Sequence, residues 1–200
     1  MTSPDRLGPL IAALSRAGLP TSDYDLNPGT TLPEGRVLRS AGVLVALRPG
    51  PGGVDVILTK RSSRLKHHPG QIAFAGGKVD AGDADVVAAA LREAEEEIGL
   101  PRATVEVLGT AEAHETVTGF LVTPVFARVA VGFVPVPEAG EVDEVFTVPL
   151  AHLTDPANYR IEGRRWRGQM RRYYTVPYGP YYIWGATARI LRALADRMAQ

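Results

Sequence analysis

The sequence predicts an α/β fold in which a mixed sheet is held between helices. Apolar runs of strand length occupy residues 41–60 and return after residue 104. Between them stands one acidic amphipathic helix, and a second amphipathic helix closes the chain. With 200 residues and 45% hydrophobic content, the chain suits one domain with a sizeable core.

Taken in order, residues 5–18 have helical spacing through Leu7, Leu10, Ile11 and Leu14. Asp23 to Gly35 is rich in Pro, Gly and Asp and reads as a connecting loop. Residues 1–37 are therefore expected to form an N-terminal helix and connecting loop, and 38–200 the main domain. Ala41–Leu47 and Val54–Lys60 read as strands joined by Arg48-Pro49-Gly50-Pro51-Gly52-Gly53, a hairpin signal. Gln71–Phe74 is a short strand candidate, and Gly76-Gly77 reads as a tight turn able to approach a ligand. A helix is expected over about 84–98, with Asp83 as N-cap, Asp85 on its dipole, and Gly99 then Leu100-Pro101 ending it. Val105–Thr110, Leu121–Val131 and Glu144–Pro149 read as strands. Ile161–Glu162 and Arg171–Val176 pair around Gly163 and Gly168, and Trp184–Met198 is the closing helix.

The run Arg92-Glu93-Ala94-Glu95-Glu96-Glu97-Ile98-Gly99-Leu100 carries the chemistry. On a helical wheel Val87, Leu91, Ala94 and Ile98 fall within about 60° of one another, a core stripe. Glu93, Glu96 and Glu97 share a second arc of about 100°, and Glu95 points elsewhere. Converging carboxylates suit Mg²⁺ or Mn²⁺, whereas a solvated acidic face is the bland alternative. Arg92 lies about 40° from Glu96 and is expected to orient a glutamate by ion pairing.

The stretch from Gly77 to Leu100 resembles the box of the Nudix hydrolase family, G-x5-E-x7-R-E-U-x-E-E-x-G-U with U aliphatic. Arg92, Glu93, Ala94, Glu96, Glu97, Gly99 and Leu100 match its second half. The first half is one residue longer: counting from Gly77 places Asp83 at the first acid, and counting back from Arg92 places Ala84 there. A segment before the box resembles the coenzyme A pyrophosphatase branch through Leu58, Thr59, Arg61, Ser62, Leu65, Gly70, Phe74, Gly76, Gly77 and Asp80. Lys66 and Ile72 replace Arg and Val of that pattern, and Ala75 stands where Pro is usual. Val117–Pro124 and Ile183–Leu191 also look like this branch, so the resemblance spans roughly residues 38–195.

The resemblance implies a Nudix-type α/β/α sandwich and hydrolysis of the diphosphate of coenzyme A and its thioesters. The products would be 4′-phosphopantetheine, or its acyl form, and adenosine 3′,5′-bisphosphate. It implies Glu93, Glu96 and Glu97 as ligands of Mg²⁺ or Mn²⁺, with Glu97, Glu93 and Arg92 as the catalytic set. Arg61, Ser62, Arg64, Gly76 and Gly77 would face the substrate. NADH, ADP-ribose or another nucleoside diphosphate derivative is the alternative substrate class. A non-catalytic nucleotide- or RNA-binding module is the third reading.

Candidates for a general base are Glu97 and the loop acids Glu112, Glu115, Glu141 and Glu144. Lys60, Arg61, Arg64, Lys66, His67 and His68 form a basic cluster beside the glycines, useful for a substrate with several phosphates. Arg61 either reads phosphate or pairs with Asp80 or another loop acid and holds the turn. A second basic stretch, Arg160, Arg164, Arg165, Arg167, Arg171 and Arg172, is interleaved with Trp166, Tyr173 and Tyr174. It reads as an exposed hairpin with aromatics on its buried side, or as a nucleic-acid or base platform. Tyr178, Tyr181, Tyr182 and Trp184 are expected to pack the closing helix, with tips reaching a pocket.

Twenty-two basic and 22 acidic residues balance, giving no support to a nucleic-acid coat. No cysteine is present, which excludes disulfides, thiolate nucleophiles and Cys-ligated zinc. No run of apolar residues is long enough for a membrane span, and the N-terminus is a poor signal peptide. The expected partner is a small nucleotide of coenzyme A type in the cytoplasm, with a homodimer left open.

Overall fold

The computed structural model describes residues 7–32, 34–166 and 168–200, Trp166 by its backbone alone. The elements run α1 (Gly8–Ser15), β1 (Thr21–Ser22), β2 (Arg39–Gly50), β3 (Gly53–Arg61), β4 (Ile72–Ala73), β5 (Ala75–Lys78) and α2 (Val86–Ile98). Then come β6 (Val105–Thr110), β7 (His114–Glu115), β8 (Phe120–Val129), β9 (Val142–Pro149), α3 (Leu150–Leu153), β10 (Arg160–Trp166), β11 (Gln169–Thr175) and α4 (Gly185–Met198). Among the described residues no helix is long and apolar enough to cross a membrane.

Nine strands form one mixed sheet among the described residues. At its centre β2 runs parallel to β8, from Arg39↔Phe120 to Leu47↔Arg128. β3 is antiparallel to β2 and to β9, β5 is antiparallel to β2, and β6 is antiparallel to β8. Burial on both faces explains why β2 reads as a continuous apolar run rather than an alternation. Val45 and Leu47 face one core, with Leu7, Leu10, Phe126, Leu191 and Leu194. Leu44 and Ala46 face the other, with Ala90, Ala94, Ile98, Val125 and Ala127. α1 and α4 thus cover one face and α2 the other, the α/β/α sandwich expected.

Several boundaries differ from the sequence reading. α2 begins later, because Asp85, not Asp83, is its N-cap: the Asp85 carboxylate accepts from the Ala88 amide at 2.8 Å. Gly99, left-handed at φ 66°, ends it as expected. Gly76 and Gly77 form no turn; they lie within β5, paired with Val43 and Gly42 of β2. β1 and β7, two residues each, pair in parallel and were not foreseen. Fully buried His114 holds them, its Nδ1 2.9 Å from Thr21 Oγ1 and its Nε2 3.1 Å from the Asp23 carboxylate. Leu7 and Leu10 share the core of the sheet, so the N-terminal segment is packed into the same body.

Candidate active site

α2 lies across β5 with its acids turned toward the glycine pair. Small residues permit the close approach: Ala89, Ala90 and Ala94 are the fully buried contacts of the helix. Gly77 is required by the helix itself, since a Cβ there would overlap the Glu93 carboxylate. Gly76 adopts φ 155°, and a Cβ there would strike the backbone of Gly42 and Val43.

Glu97 is 4% exposed. Its carboxylate accepts from the Gly76 amide at 3.2 Å. Burial, only partly offset by that hydrogen bond, pushes its pKa up to about 7. The neighbouring Glu93 and Glu141 raise it further, and the Arg61 charge lowers it. Burial also raises Glu93, against the opposing hydrogen bond from Arg92. A buried acid without a bonded cation is costly for folding, which makes Glu97 a candidate functional position.

Of the three acids expected to converge, Glu93 and Glu97 reach the same glycine pair. Glu96 does not: its side chain is 59% exposed and pairs with Arg92 at 3.1 Å. Arg92 is the hub of this face. It bonds Asp83 through Nε at 3.0 Å and Nη2 at 2.9 Å, Glu93 at 2.9 Å and the Lys78 carbonyl at 3.1 Å. Asp83 is thereby held at about pKa 2, first by the hydrogen bond to Arg92. Asp83, the acid reached by counting from Gly77, is thus the partner of the arginine that opens the second half of the box.

Arg61, at the end of β3, makes no side-chain hydrogen bond or ion pair among the described residues, and its charge acts on both Glu97 and His68. Asp80 pairs instead with Lys78 at 2.8 Å. Ser62 is fully buried, and its hydroxyl accepts from the Arg64 amide at 3.3 Å, so it shapes the loop rather than facing solvent. Arg64 is exposed on that loop. Among the loop acids, Glu112 pairs with Arg197, Glu115 with Arg36, and Glu144 accepts from the Tyr181 hydroxyl. Glu141 is exposed and close enough for its charge to act on Glu93 and Glu97.

No group of three or more His, Cys, Asp or Glu side chains among the described residues stands ready-made for a metal ion. Glu93 and Glu97 are the pair that could hold one, with Glu141 near enough for its charge to act on both. Their donor set is all carboxylate, and the raised Glu97 pKa marks a place where a cation would relieve burial of charge. Both features fit a hard divalent ion.

Paired acids on a helix, set against a glycine strand and beside an arginine free of acids, suit attack on a phosphoanhydride. Residues 38–167 match the family described as the NUDIX domain. The chain is 43% identical over 159 residues to the Nudix hydrolase NudL of Escherichia coli (strain SMS-3-5 / SECEC), itself uncharacterized, covering 78% of this chain and 81% of that one. It is equally similar to NudL of Shigella boydii serotype 4 (strain Sb227), at 43% over 159 residues with the same 78% and 81% coverage. Among solved structures, the MutT protein of Methanosarcina mazei Go1 superposes with TM-score 0.52 at 18% identity, over 85% of this chain and 99% of that one. The chain belongs to the Nudix hydrolase family. It is an enzyme, a pyrophosphatase acting on a nucleoside diphosphate linked to another moiety.

Proposed function

We propose that this enzyme cleaves the diphosphate of coenzyme A and its thioesters, giving 4′-phosphopantetheine or its acyl form and adenosine 3′,5′-bisphosphate. The observation that carries the reading is Arg61. It belongs to the Arg-Ser segment before the box, has no acid partner among the described residues, and stands near Glu97, where it can receive a diphosphate oxygen. Arg64 adds a second charge at the loop surface.

In this reading Glu93 and Glu97 hold Mg²⁺ or Mn²⁺, and Arg92 fixes Glu93 from the side. Such an ion, when bound, neutralises phosphate charge and activates water. Gly76 and Gly77 let the strand lie close under the Glu97 and Glu93 carboxylates, beside which the diphosphate would sit. Glu141 is the loop acid best placed to take a proton, because the other three are tied to Arg197, Arg36 and Tyr181.

Cleavage of the P–O–P bridge leaves a thioester untouched. Acetyl-coenzyme A with Mg²⁺ or Mn²⁺ should therefore yield acetyl-phosphopantetheine and adenosine 3′,5′-bisphosphate. A parallel panel with NADH and ADP-ribose decides the substrate class. Faster turnover of either, or free thiol as the first product, would overturn the reading.

A further inference from the structure

A cavity of about 400 Å³ lies away from the α2 acids, between the β10–β11 hairpin, the N-terminal loop and the start of α4. Its walls include Asn27, His68, Arg164, Arg172, Tyr173 and Trp184. The loop bearing Arg61 connects it to the active site. Gly70 N donates to Arg61 O at 3.0 Å, Gln71 O accepts from Arg61 N at 2.9 Å, and both His68 and Gln71 line the cavity.

The chain has built this cavity with care. Asn27 bonds both backbone groups of Arg172: its Nδ2 donates to the carbonyl at 2.9 Å, and its Oδ1 accepts from the amide at 2.8 Å. The N-terminal loop is thereby locked to the hairpin, which gives that segment a purpose beyond covering the core. Tyr173 and Trp184 meet at a centroid distance of 5.2 Å, tilted by 58°. The Arg164 guanidinium stands 5.7 Å from the centre of the Trp184 ring. Arg171 is engaged with the Tyr24 ring at 5.6 Å.

Charge decides what the cavity takes. Arg164 is exposed and has no acid partner among the described residues, and the register Arg164↔Arg171 sets it on the hairpin face of Arg171 and Tyr173, opposite that of Arg172. The acid in the wall, Asp23, is already occupied by His114 at 3.1 Å and by the Val117 amide at 2.8 Å. The net local charge is positive, beside aromatic rings. Guanidinium groups hold phosphate dianions in bidentate fashion, and aromatic rings accept a base by stacking. The cavity draws both on residues inside the family span of 38–167, His68 and Arg164, and on residues outside it, Asn27, Tyr173 and Trp184.

We propose that this cavity binds the nucleoside half of the substrate, and that Arg164, set beside Tyr173 and Trp184, reads a phosphomonoester on its ribose. The assignment rests on the coenzyme A reading, whose adenosine carries a 3′-phosphate separate from the diphosphate. Arg61 would then serve the diphosphate and Arg164 the monoester.

The test is calorimetric titration of the metal-free protein with adenosine 3′,5′-bisphosphate and with adenosine 5′-monophosphate. The bisphosphate should bind about tenfold tighter, the scale of one charge-assisted phosphate contact. The variant Arg164→Gln should reduce that preference to about twofold or less, while Arg164→Lys retains most of it. Arg164 is exposed, and matching circular dichroism melts would exclude misfolding. Equal affinity for the two nucleotides in the native protein would overturn the assignment, as would a preference that survives in the Gln variant. Binding here is independent of turnover, so the two readings fail separately. Hydrolysis of coenzyme A without nucleotide discrimination would sink the cavity assignment alone. Discrimination without hydrolysis of coenzyme A would sink the substrate reading and leave the cavity assigned.

Discussion

Asp83 and Arg92 meet side by side, with Nε and Nη2 of the arginine at 3.0 and 2.9 Å from the two carboxylate oxygens. They stand nine positions apart in sequence, across loop and helix. The pair fixes the guanidinium, whose remaining nitrogen then reaches Glu93 at 2.9 Å. Asp83 acts on the active site only through this relay and is a positioning residue.

Asp83→Asn should therefore lower kcat by about tenfold, the usual scale for losing a support behind a ligand, with the fold intact. Its stability effect has a defined pH range. The folded pKa is depressed from 3.8 to about 2, so the stabilisation is fully present above the unfolded value and disappears as pH falls through the folded one. Urea melts of wild type and variant should differ by a constant amount near neutrality and converge in strong acid. A gap that widens on acidification would refute the pairing.

Gly77→Ala tests the contact between strand and helix. The new Cβ would overlap the Glu93 carboxylate, which must leave its place. Activity should fall by about tenfold or more, because a shift of a side chain by a methyl width misplaces the reacting groups. Gly52 is the matched control: a Cβ there meets nothing within 4 Å, and its alanine variant should be within about 0.5 kcal/mol of wild type. Equal activity in both variants would remove Gly77 from the site.

Arg61→Ala separates the two phosphate sites. With Arg61 near Glu97 and free of an acid partner among the described residues, its loss should raise KM by about tenfold for coenzyme A and 3′-dephospho-coenzyme A alike. A larger effect on coenzyme A would move Arg61 to the ribose phosphate. A lowered melting temperature with unchanged KM would make it a purely structural residue.

The parts of this site that local chemistry dictates were legible in the sequence. α2 was readable from its apolar stripe and from Gly99, and the exposed hairpin from alternating residues around Gly168. The misplaced N-cap shows the limit: Asp83 and Asp85 are equally good caps locally, and what separates them is Arg92, which claims Asp83. The glycine pair reads as a turn because glycine usually marks one; only pairing with β2, thirty-odd residues upstream, makes it a strand. Glu96 follows the same logic, since the helical wheel places it with Glu93 and Glu97 but Arg92 holds it outward. β1 and β7 carry too few residues for any periodicity, and their pairing depends on His114, Thr21 and Asp23 meeting across the fold.

Glu97 sets function against stability, and that opposition can be measured. Its unfolded pKa of 4.5 rises to about 7 on burial. Below the lower value both states hold the proton and folding is unaffected. Between the two values the unfolded chain ionises while the folded site keeps its proton, so stability falls as pH rises. Above about 7 the penalty is constant, on the order of 3 kcal/mol. Glu97→Gln removes the charge and keeps the volume. Without metal, the variant should melt several degrees above wild type at pH 8, and the difference should shrink toward pH 4.5. Turnover should fall by about 10²- to 10⁴-fold. Glu95→Gln is the companion: Glu95 pairs with Arg102 at 2.9 Å on another face, and its variant should retain most activity. Added Mg²⁺ should raise the melting temperature of wild type and leave Glu97→Gln nearly unmoved, since an ion that binds only the folded site stabilises it by mass action. A Glu97→Gln protein that gains stability from Mg²⁺ as fully as wild type would remove Glu97 from the metal site, whatever its turnover.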